Sequence, residues 1–215
     1  MGDLRMEISI VALSDTHGFH DSVDIPAGDI LLHAGDLTDR GEIVEVERFN
    51  DFLGTLSHPT KIVIAGNHDF CFERDPETCA ALLTNAIYLQ DQALIIEGIH
   101  FYGSPWQPWF YDWAFNLQRG SEIRAKWELI PADTDILITH GPPFMHGDQT
   151  IGGEHVGCQD LLEFVERIRP KLHIFGHIHE GYSLTRNDDT TFVNVSICDA
   201  TYRPRNQPVT YNFCL

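Results

Sequence analysis

Two histidines lie one residue apart in the segment FGHIHEGY, residues 175–182, directly after a run of apolar residues. Side chains at positions i and i+2 of an extended segment project to the same side, so His177 and His179 can bind one ligand together. Imidazole nitrogens are common ligands of divalent transition metals. The pair alone is ambiguous, because polar strand ends without a metal also carry histidines. A metal site therefore requires partners elsewhere in the chain.

Four other loops carry such partners, and each of them also follows a short apolar run. They add carboxylate, amide and imidazole groups, namely Asp15, His17, Asp36, Asn67 and His140. Oxygen and nitrogen ligands without a thiolate suit Mn²⁺, Fe²⁺ or Zn²⁺. With the histidine pair the set has seven members, which exceeds one tetrahedral site and matches two ions that share a carboxylate. The alternative is that all of them are polar residues that cap strand ends.

The apolar runs before these five loops are predicted to be buried strands, because each has four to seven residues nearly continuous in Val, Ile, Leu or Phe. Ligands bind at the carboxyl ends of strands in α/β sheets, so we expect the five loops to converge on one crevice. The runs are residues 7–13, 29–34, 61–65, 135–139 and 171–175. Helical patterns lie between the runs at residues 42–56, 75–84, 121–129 and 157–168.

Later parts of the chain add hairpin patterns. Residues 93–104 are predicted to turn at a Glu-Gly pair, and residues 182–197 form a second candidate hairpin. With the strand-like segment 208–213 they suggest a second, mixed sheet packed on the first. The expected fold class is therefore α/β, a four-layer α/β/β/α sandwich of two mixed sheets flanked by helices, in a single domain over residues 1–215.

Composition indicates an acidic globular protein, with 43% apolar residues, 21% charged residues and a formal net charge of −18. Such a surface repels polyanions, so neither duplex nucleic acid nor an anionic membrane is an expected partner. The five cysteines are scattered, which indicates reduced thiols, and no apolar run is long enough for a signal peptide or a membrane span. We expect a cytoplasmic protein whose oligomeric state is open, with a homodimer as one alternative.

The polar loops also form five motifs in a fixed order: Asp15-x-His17, Gly35-Asp36-x-x-Asp39-Arg40, Gly66-Asn67-His68-Asp69, His140-Gly141 and Gly176-His177-x-His179. Together they resemble the signature of the calcineurin-like metallophosphoesterases. Segments 102–120 and 169–182 are similar, more narrowly, to a small metallophosphoesterase-domain-containing subfamily known from animal brain and from bacteria. The resemblance implies a phosphodiesterase that acts on nucleotides, including 2′,3′-cyclic ones.

That resemblance implies two divalent metal ions that share Asp36. One ion is held by Asp15, His17, Asp36 and His179, and the other by Asp36, Asn67, His140 and His177. Mn²⁺ is the first expectation, with Fe²⁺, Zn²⁺ and Ni²⁺ as alternatives. Two ions about 3.5–4 Å apart can activate a bridging hydroxide and clamp the phosphate oxygens for in-line attack.

Three further residues receive roles in catalysis or substrate binding. His68 is the candidate general acid near the leaving oxygen, and both His68 and Asn67 are expected to contact the substrate. Asp39 is predicted to fix the tautomer of His68 by accepting a hydrogen bond from its other ring nitrogen, with a helix cap as the alternative. Arg40 is expected to bind phosphate oxygens. Asp69 is given only a structural role.

Two loops that could shape the pocket stay ambiguous. The aromatic loop, residues 104–118, could wall the pocket and stack a base, or it could pack as a lid on the second sheet. The glycine-rich loop, residues 144–157, could fold over the site, with His146 or His155 as a substrate contact.

The predicted function is a metal-dependent phosphodiesterase for small phosphodiesters, with 2′,3′- or 3′,5′-cyclic nucleotides as the expected substrates. A phosphomonoesterase, including a protein phosphatase, is the alternative among enzymes. A low-turnover, metal-dependent nucleotide-binding protein is the alternative outside them. Both His68 and His177 are present in this chain, which favours turnover over binding alone.

Overall fold

A computed structural model of the protein describes residues 7–214, and its strands follow the apolar runs of the sequence. Five strands form the first sheet: β1 (Glu7–Leu13), β2 (Ile30–Ala34), β3 (Thr60–Ile64), β4 (Ile87–Tyr88) and β13 (Val209–Cys214). Their order across the sheet is β13-β1-β2-β3-β4. Strands β1 to β4 run parallel, and β13 lies antiparallel to β1 at the edge.

Six strands form the second sheet: β5 (Gln92–Ile96), β6 (Ile99–Ser104), β9 (Ile136–Thr139), β10 (Leu172–Phe175), β11 (Ser183–Arg186) and β12 (Thr191–Asn194). Their order is β11-β12-β10-β9-β6-β5. The four central strands are parallel, and the edge strands β5 and β11 pair antiparallel with β6 and β12. A separate short ribbon pairs β7 (Gln107–Pro108) with β8 (Asn116–Leu117).

Helices cover the outer face of each sheet. They are α1 (Ile43–Thr55), α2 (Phe70–Arg74), α3 (Pro76–Leu82), α4 (Ser121–Trp127) and α5 (Gln159–Ile168). The first three pack on the first sheet, where Phe49 shares a buried cluster with Leu31, and the last two pack on the second, where Trp127 joins Leu137. The layers α/β/β/α confirm the expected fold class. Within residues 7–214, no helix is long and apolar enough to cross a membrane.

The two sheets face each other through a core of branched aliphatic side chains. Ile10 and Ile62 of the first sheet belong to one buried cluster with Ile138 and Ile174 of the second. The alternate residues of the same strands, such as Val11, lie in the clusters beneath the helices. Because each central strand is covered on both faces, it needs apolar residues at consecutive positions rather than at every second one. This burial explains the continuous apolar runs of the sequence.

One strand lies in a different sheet from the one predicted. Segment 208–213 forms most of β13 and pairs with β1 in the first sheet, whereas the prediction assigned it to the second. A strand pattern indicates which face is buried, but tertiary packing selects the neighbouring strand. The β5–β6 hairpin is confirmed. Its turn residues Glu97 and Gly98 have φ angles of 50° and 80°, as a two-residue turn with both central φ angles positive requires.

The two sheets are connected at the end of the sandwich where their parallel strands finish. Ser14, which follows β1, bridges Ser196, which follows β12. The backbone N–H of Ser14 donates to the carbonyl of Val195 at 3.0 Å, and the N–H of Ile197 donates back to Ser14 at 2.9 Å. Side chains that follow β9 and β10 also reach the first sheet, since Nδ1 of His140 lies 2.9 Å from the carbonyl oxygen of Ala34 and the N–H of His177 donates to Asp15. The loops after β1, β2 and β3 therefore lie beside the loops after β9 and β10.

Candidate active site

The seven predicted metal-ligand side chains come together where these five loops meet. Six of them are buried, and the seventh, His177, is partly exposed at the floor of a cavity. The ligand cluster is defined as Asp15, His17, Asp36, Asn67, His140, His177 and His179. Residues that are separated by up to 164 positions in the sequence, from 15 to 179, thus share one end of the sandwich.

One half of the ligand cluster surrounds His17. Its Nε2 lies 3.2 Å from Nε2 of His179 and 3.8 Å from Oδ2 of Asp36. Nε2 of His179 in turn lies 3.4 Å from Oδ1 of Asp15. Ligand atoms with this spacing can share one ion, because metal–ligand distances of about 2.0–2.2 Å place neighbouring ligand atoms roughly 3 Å apart.

The other half of the ligand cluster surrounds His140. Its Nε2 lies 3.4 Å from Oδ2 of Asp36 and 2.8 Å from Oδ1 of Asn67. The same Asn67 oxygen lies 2.7 Å from Nδ1 of His177. One oxygen of Asp36 is therefore close to a histidine in each half, which is the position that a carboxylate shared by two ions must occupy.

Hydrogen bonds on the opposite ring nitrogens determine which atoms of two histidines carry a proton. Nδ1 of His140 lies 2.9 Å from the carbonyl oxygen of Ala34, and Nδ1 of His179 lies 3.0 Å from that of Asp199. A carbonyl only accepts, so each Nδ1 donates its hydrogen, and when the ring is neutral its Nε2 presents a lone pair to the ligand cluster. These lone pairs face carboxylate and amide oxygens. Two hydrogen-bond acceptors that face each other need a proton or a cation between them. These nitrogen and oxygen ligand atoms therefore fit divalent metal ions.

Burial and charge act differently on the histidines of the ligand cluster. Burial lowers the pKa of His17 to about 4 and that of His177 to about 3, so both rings are neutral and offer a lone pair. Burial also disfavours the charged forms of His140 and Asp36. Their mutual attraction outweighs it, raises the pKa of His140 to about 9 and holds the pKa of Asp36 below its usual range. A divalent ion bound there would take the place of the proton, because metal binding releases protons from its ligands.

Four residues of the ligand cluster adopt left-handed backbone conformations, which are uncommon for residues other than glycine. The φ angles are 53° for Asp15, 42° for His17, 56° for Asp36 and 69° for His177. Such conformations cost of order 1 kcal/mol each and are concentrated at functional sites. Two motif glycines leave room for these turns. A Cβ atom at Gly66 would collide with the carboxylate of Asp36, and one at Gly176 would collide with that of Asp15.

Asp69 connects two of the ligand loops. Its buried carboxylate accepts hydrogen bonds from the backbone N–H groups of Asp36 at 2.9 Å, Thr38 at 2.9 Å and Gly66 at 2.8 Å. The loop after β2 is thereby fixed to the loop after β3, which carries Asn67. Sequence reasoning gave Asp69 no more than a structural role. Its place at the end of the Gly-Asn-His-Asp motif is the signal that could have identified it as the residue that positions Asp36.

Two core histidines anchor the ligand loops from beneath, one in each sheet. Nε2 of His33 in β2 lies 3.0 Å from the hydroxyl of Thr16, and Nε2 of His173 in β10 lies 2.8 Å from that of Thr139. Both threonines are next to a member of the ligand cluster in the chain. Both histidines are buried, so these two hydrogen bonds lie within the core.

His68 lies beside the ligand cluster with its ring held on three sides. Nδ1 lies 2.8 Å from the backbone carbonyl oxygen of Asp39. The ring stacks on Trp113 with a centroid distance of 4.3 Å and meets the ring of His17 edge to face at 4.5 Å. The acceptor at Nδ1 is the main chain of Asp39 and not its carboxylate. Nε2 is therefore the ring nitrogen of His68 that is available to a substrate.

The side chains of Asp39 and Arg40 point away from the ligand cluster. The Arg40 side chain is 82% exposed, and within residues 7–214 its only ion pair is with Asp39, at 3.5 Å. Neither residue is among the described residues that line the cavity. The backbone N–H groups of both residues donate to the carboxylate of Glu45 in the first turn of α1, which turns this segment toward solvent. The guanidinium of Arg40 therefore lies outside the cavity in the structure, and its contact with phosphate stays a prediction. The N-cap of α1 is Glu42, so the alternative role of Asp39 as the cap of this helix is wrong.

A cavity of about 490 Å³ opens above the ligand cluster. Its floor is formed by members of the cluster and by His68, and its walls come from two loops and one arginine: Trp109, Phe110 and Trp113 of the aromatic loop, Thr150, His155 and Val156 of the glycine-rich loop, and Arg119. The sequence left open whether the aromatic loop walls the pocket or packs as a lid on the second sheet. In the structure the loop forms a wall of the cavity. Among the described residues that line the cavity, Arg119 is the only lysine or arginine.

The two histidines of the glycine-rich loop have different surroundings. His155 lines the cavity, whereas His146 stacks on Phe192 at a centroid distance of 3.7 Å and bonds to the hydroxyl of Thr185. Only His155 is therefore in a position to contact a molecule bound in the cavity.

The fold and the ligand cluster define a class of protein. The model of the family described as Calcineurin-like phosphoesterase matches residues 8–181, and the chain belongs to this family. Phosphoesterases are hydrolases, and members of the family typically bind divalent metal ions. The candidate ligand groups of this chain agree with that property.

Similarity to individual proteins indicates the subfamily to which the chain belongs. Human metallophosphoesterase domain-containing protein 1 is 46% identical over 224 aligned residues, which cover 93% of this chain and 69% of the relative. A probable cyclic nucleotide phosphodiesterase of Synechococcus is 28% identical over 84% of this chain and 68% of its own length. One solved structure shares 18% identity with a TM-score of 0.64, covers 88% of this chain and 90% of that one, and supports the fold alone. Within its family, the chain falls in the small metallophosphoesterase-domain-containing subfamily.

Proposed function

We propose that this protein is a binuclear metallophosphodiesterase that hydrolyses small phosphodiesters, with 2′,3′- or 3′,5′-cyclic nucleotides as substrates. The observation that carries this function is the pair of overlapping ligand sets that share Asp36 at the floor of the cavity. Asp15, His17 and His179 would complete one ion site, and Asn67, His140 and His177 would complete the other. Mn²⁺ is the proposed metal, with Fe²⁺, Zn²⁺ or Ni²⁺ as alternatives.

Metal ions also account for anion binding by so acidic a chain. The formal net charge is −18, and the floor of the cavity carries the Asp36 carboxylate, which would repel a phosphate. When bound, two divalent ions would supply positive charge, polarise the phosphoryl oxygens and lower the pKa of a water molecule. The chain itself would keep these ions in place through the buried carboxylates and the oriented imidazoles described above.

His68 is the proposed general acid. With Nδ1–H donating to the carbonyl of Asp39, a protonated His68 would give its Nε2 proton to the leaving oxygen as the phosphorus–oxygen bond breaks. The ring would then be neutral and still bonded to that carbonyl. The stack on Trp113 and the edge contact with His17 restrict its orientation, so the proton donor is already positioned before the substrate binds.

The cavity supports a small substrate rather than a protein. A volume of about 490 Å³ lies within the usual range for sites that bind small molecules. Trp109 and Phe110 offer flat apolar surfaces on which a nucleobase can stack. The similarity to a probable cyclic nucleotide phosphodiesterase points to the same substrate class.

The test is turnover by metal-stripped protein after addition of Mn²⁺. Bis-p-nitrophenyl phosphate and p-nitrophenyl phosphate report diesterase and monoesterase activity, and 2′,3′-cyclic AMP tests a nucleotide. We expect diester cleavage that exceeds monoester cleavage, and a loss of about 10²-fold or more in kcat for His68→Ala. His100→Ala is the matched control, because His100 pairs with Asp133 on the surface away from the cavity.

Two outcomes would replace the proposed function. A preference for the monoester would favour a phosphomonoesterase. Two bound metal ions without turnover of any of the three substrates would favour the metal-dependent nucleotide-binding protein instead.

A further inference from the structure

The glycine-rich loop is built around one buried carboxylate. Asp148 is 1% exposed, and its Oδ2 accepts hydrogen bonds from the backbone N–H groups of Met145 and Gly157, both at 3.0 Å. Its other oxygen, Oδ1, lies 2.6 Å from Nδ1 of His155. The carboxylate thus closes the loop on itself with one oxygen and directs an imidazole with the other.

Two more contacts hold this loop against the site. The guanidinium of Arg119 donates to the carbonyl oxygens of Gly157 at 2.9 Å and Val156 at 2.7 Å, the two residues after His155. At the tip of the loop, the N–H of Ile151 donates to the carboxylate of Glu180 at 3.0 Å. Glu180 follows a member of the ligand cluster directly in the chain. The wall that carries His155 is therefore fixed at both ends relative to the floor.

The hydrogen bond to Asp148 also selects the tautomer of His155. A carboxylate accepts, so Nδ1 of His155 carries the hydrogen, and in the neutral ring Nε2 presents a lone pair. The His155 side chain is 32% exposed and lines the cavity. A loop that needed only closure would be complete with the two backbone bonds to Asp148. The third bond orients a ring that the substrate can reach.

We infer that His155 is a specificity-determining residue whose Nε2 accepts a hydrogen bond from a hydroxyl or amino group on the nucleoside part of the substrate. Asp148 is the positioning residue that holds the hydrogen on Nδ1, so that Nε2 is the acceptor of the neutral ring. This role rests on the proposed function, because it concerns substrates in the same cavity. A substrate without such a donor group gains nothing from His155, so the residue would discriminate nucleotides from simple diesters.

Paired substitutions separate this role from a structural one. His155→Asn keeps a donor at the position of Nδ1 for Asp148 and removes Nε2, whereas His155→Gln keeps a polar group near Nε2. His146→Asn is the matched control, since His146 lies on the same loop outside the cavity. The substrates are 2′,3′-cyclic AMP, which has hydroxyl and amino donors, and bis-p-nitrophenyl phosphate, which has none on its organic groups.

We expect His155→Asn to raise KM for 2′,3′-cyclic AMP about tenfold, the value of one hydrogen bond, with kcat/KM for the simple diester within about twofold of the native chain. His155→Gln should recover part of the loss, and His146→Asn should show none. Asp148→Asn turns an amide donor toward Nδ1 and forces the hydrogen onto Nε2. It should raise the same KM and move the ¹⁵N resonance of Nε2 from the unprotonated to the protonated position.

Equal losses on both substrates, or no loss on either, would overturn the role of His155. An unchanged tautomer in Asp148→Asn together with a raised KM would overturn the role of Asp148. If the native chain turns over neither substrate, the proposed function fails. Equilibrium binding of 2′,3′-cyclic AMP to the Mn²⁺-loaded protein then tests the contact with His155 independently of turnover. About tenfold weaker binding to His155→Asn would still support the contact, and equal binding would exclude it.

Discussion

The floor and the mouth of the cavity hold their side chains in different ways. At the floor, Asp36 and His140 are buried close to strand ends. The backbone N–H of Asp36 donates to the buried carboxylate of Asp69, and Nδ1 of His140 bonds to the carbonyl oxygen of Ala34 in the other sheet. At the mouth, Trp109 is 53% exposed, and its segment is held by backbone pairing within the aromatic loop, such as the bond from its N–H to the carbonyl of Leu117 at 2.8 Å. One region is positioned by the whole fold and the other by local loop contacts.

This difference separates the chemistry from its specificity. Ligand atoms in a metal site tolerate displacements of only a few tenths of an ångström, so they need the rigid ends of packed strands. A surface on which a base stacks requires a flat apolar face and little directional precision. We therefore expect substitutions at the floor to affect kcat and metal binding, and substitutions at the mouth to affect KM.

The largest expected effect is at the residue that contacts both halves of the ligand cluster. Asp36→Asn removes the negative charge that two ions would share, and it should lower kcat about 10³-fold or more on every substrate. It should also abolish thermal stabilisation by Mn²⁺. In the native chain, Mn²⁺ at about 100 times its Kd should stabilise the fold by about 2.7 kcal/mol, or roughly 5–10 °C in Tm.

Metal content, Tm with and without Mn²⁺, and kcat check this expectation together. Asp133→Asn is the matched control, because Asp133 is exposed on the surface away from the cavity. Retention of both the Mn²⁺-dependent Tm shift and of kcat in Asp36→Asn would show that the floor does not act through this carboxylate.

An intermediate effect is expected at the mouth. Trp109→Ala removes a stacking surface, which is worth about 1–3 kcal/mol per base, so KM for 2′,3′-cyclic AMP should rise about 5- to 150-fold while kcat stays within about threefold. Tyr111→Ala is the matched control, since Tyr111 is a neighbouring aromatic residue that is 68% exposed and outside the main cavity. A fall in kcat with KM unchanged would contradict the division between floor and mouth.

The same division explains which features of the fold and the site could be predicted from the sequence. The members of the ligand cluster were identified because each lies within a few residues of the end of a buried strand, and strand ends can be read from local patterns. The β5–β6 turn was identified for a similar local reason, since a Glu-Gly pair between strand patterns favours a two-residue hairpin. Features that depend on short segments and repeated geometry were therefore accessible from the sequence.

Features that depend on contacts between distant segments were not accessible. The pairing of β13 with β1 joins residues near the two ends of the described chain. The residue pattern of neither strand indicates which strand lies next to it. The stack of Trp113 on His68 depends on how the aromatic loop returns to the loop after β3, where the N–H of Ala114 donates to the carbonyl of Asn67 at 3.1 Å. Such contacts follow from tertiary packing rather than from local propensity.

The smallest expected effect lies where the floor meets solvent, at Asp39. Its carbonyl bonds to His68, but its side chain is 53% exposed and, among the residues that the structure describes, forms an ion pair only with Arg40. Asp39→Asn changes the side chain and leaves the carbonyl, so kcat and KM should stay within about twofold. Loss of an exposed ion pair worth about 0–1 kcal/mol should change Tm by no more than a few degrees.

Steady-state kinetics over a range of pH check this expectation. If the carboxylate of Asp39 moves onto His68 when substrate binds, Asp39→Asn should cause a large fall in kcat and a shifted pH profile. That result would place the side chain of Asp39 at the floor, and the boundary between the two regions would then depend on the bound substrate rather than on the fold alone.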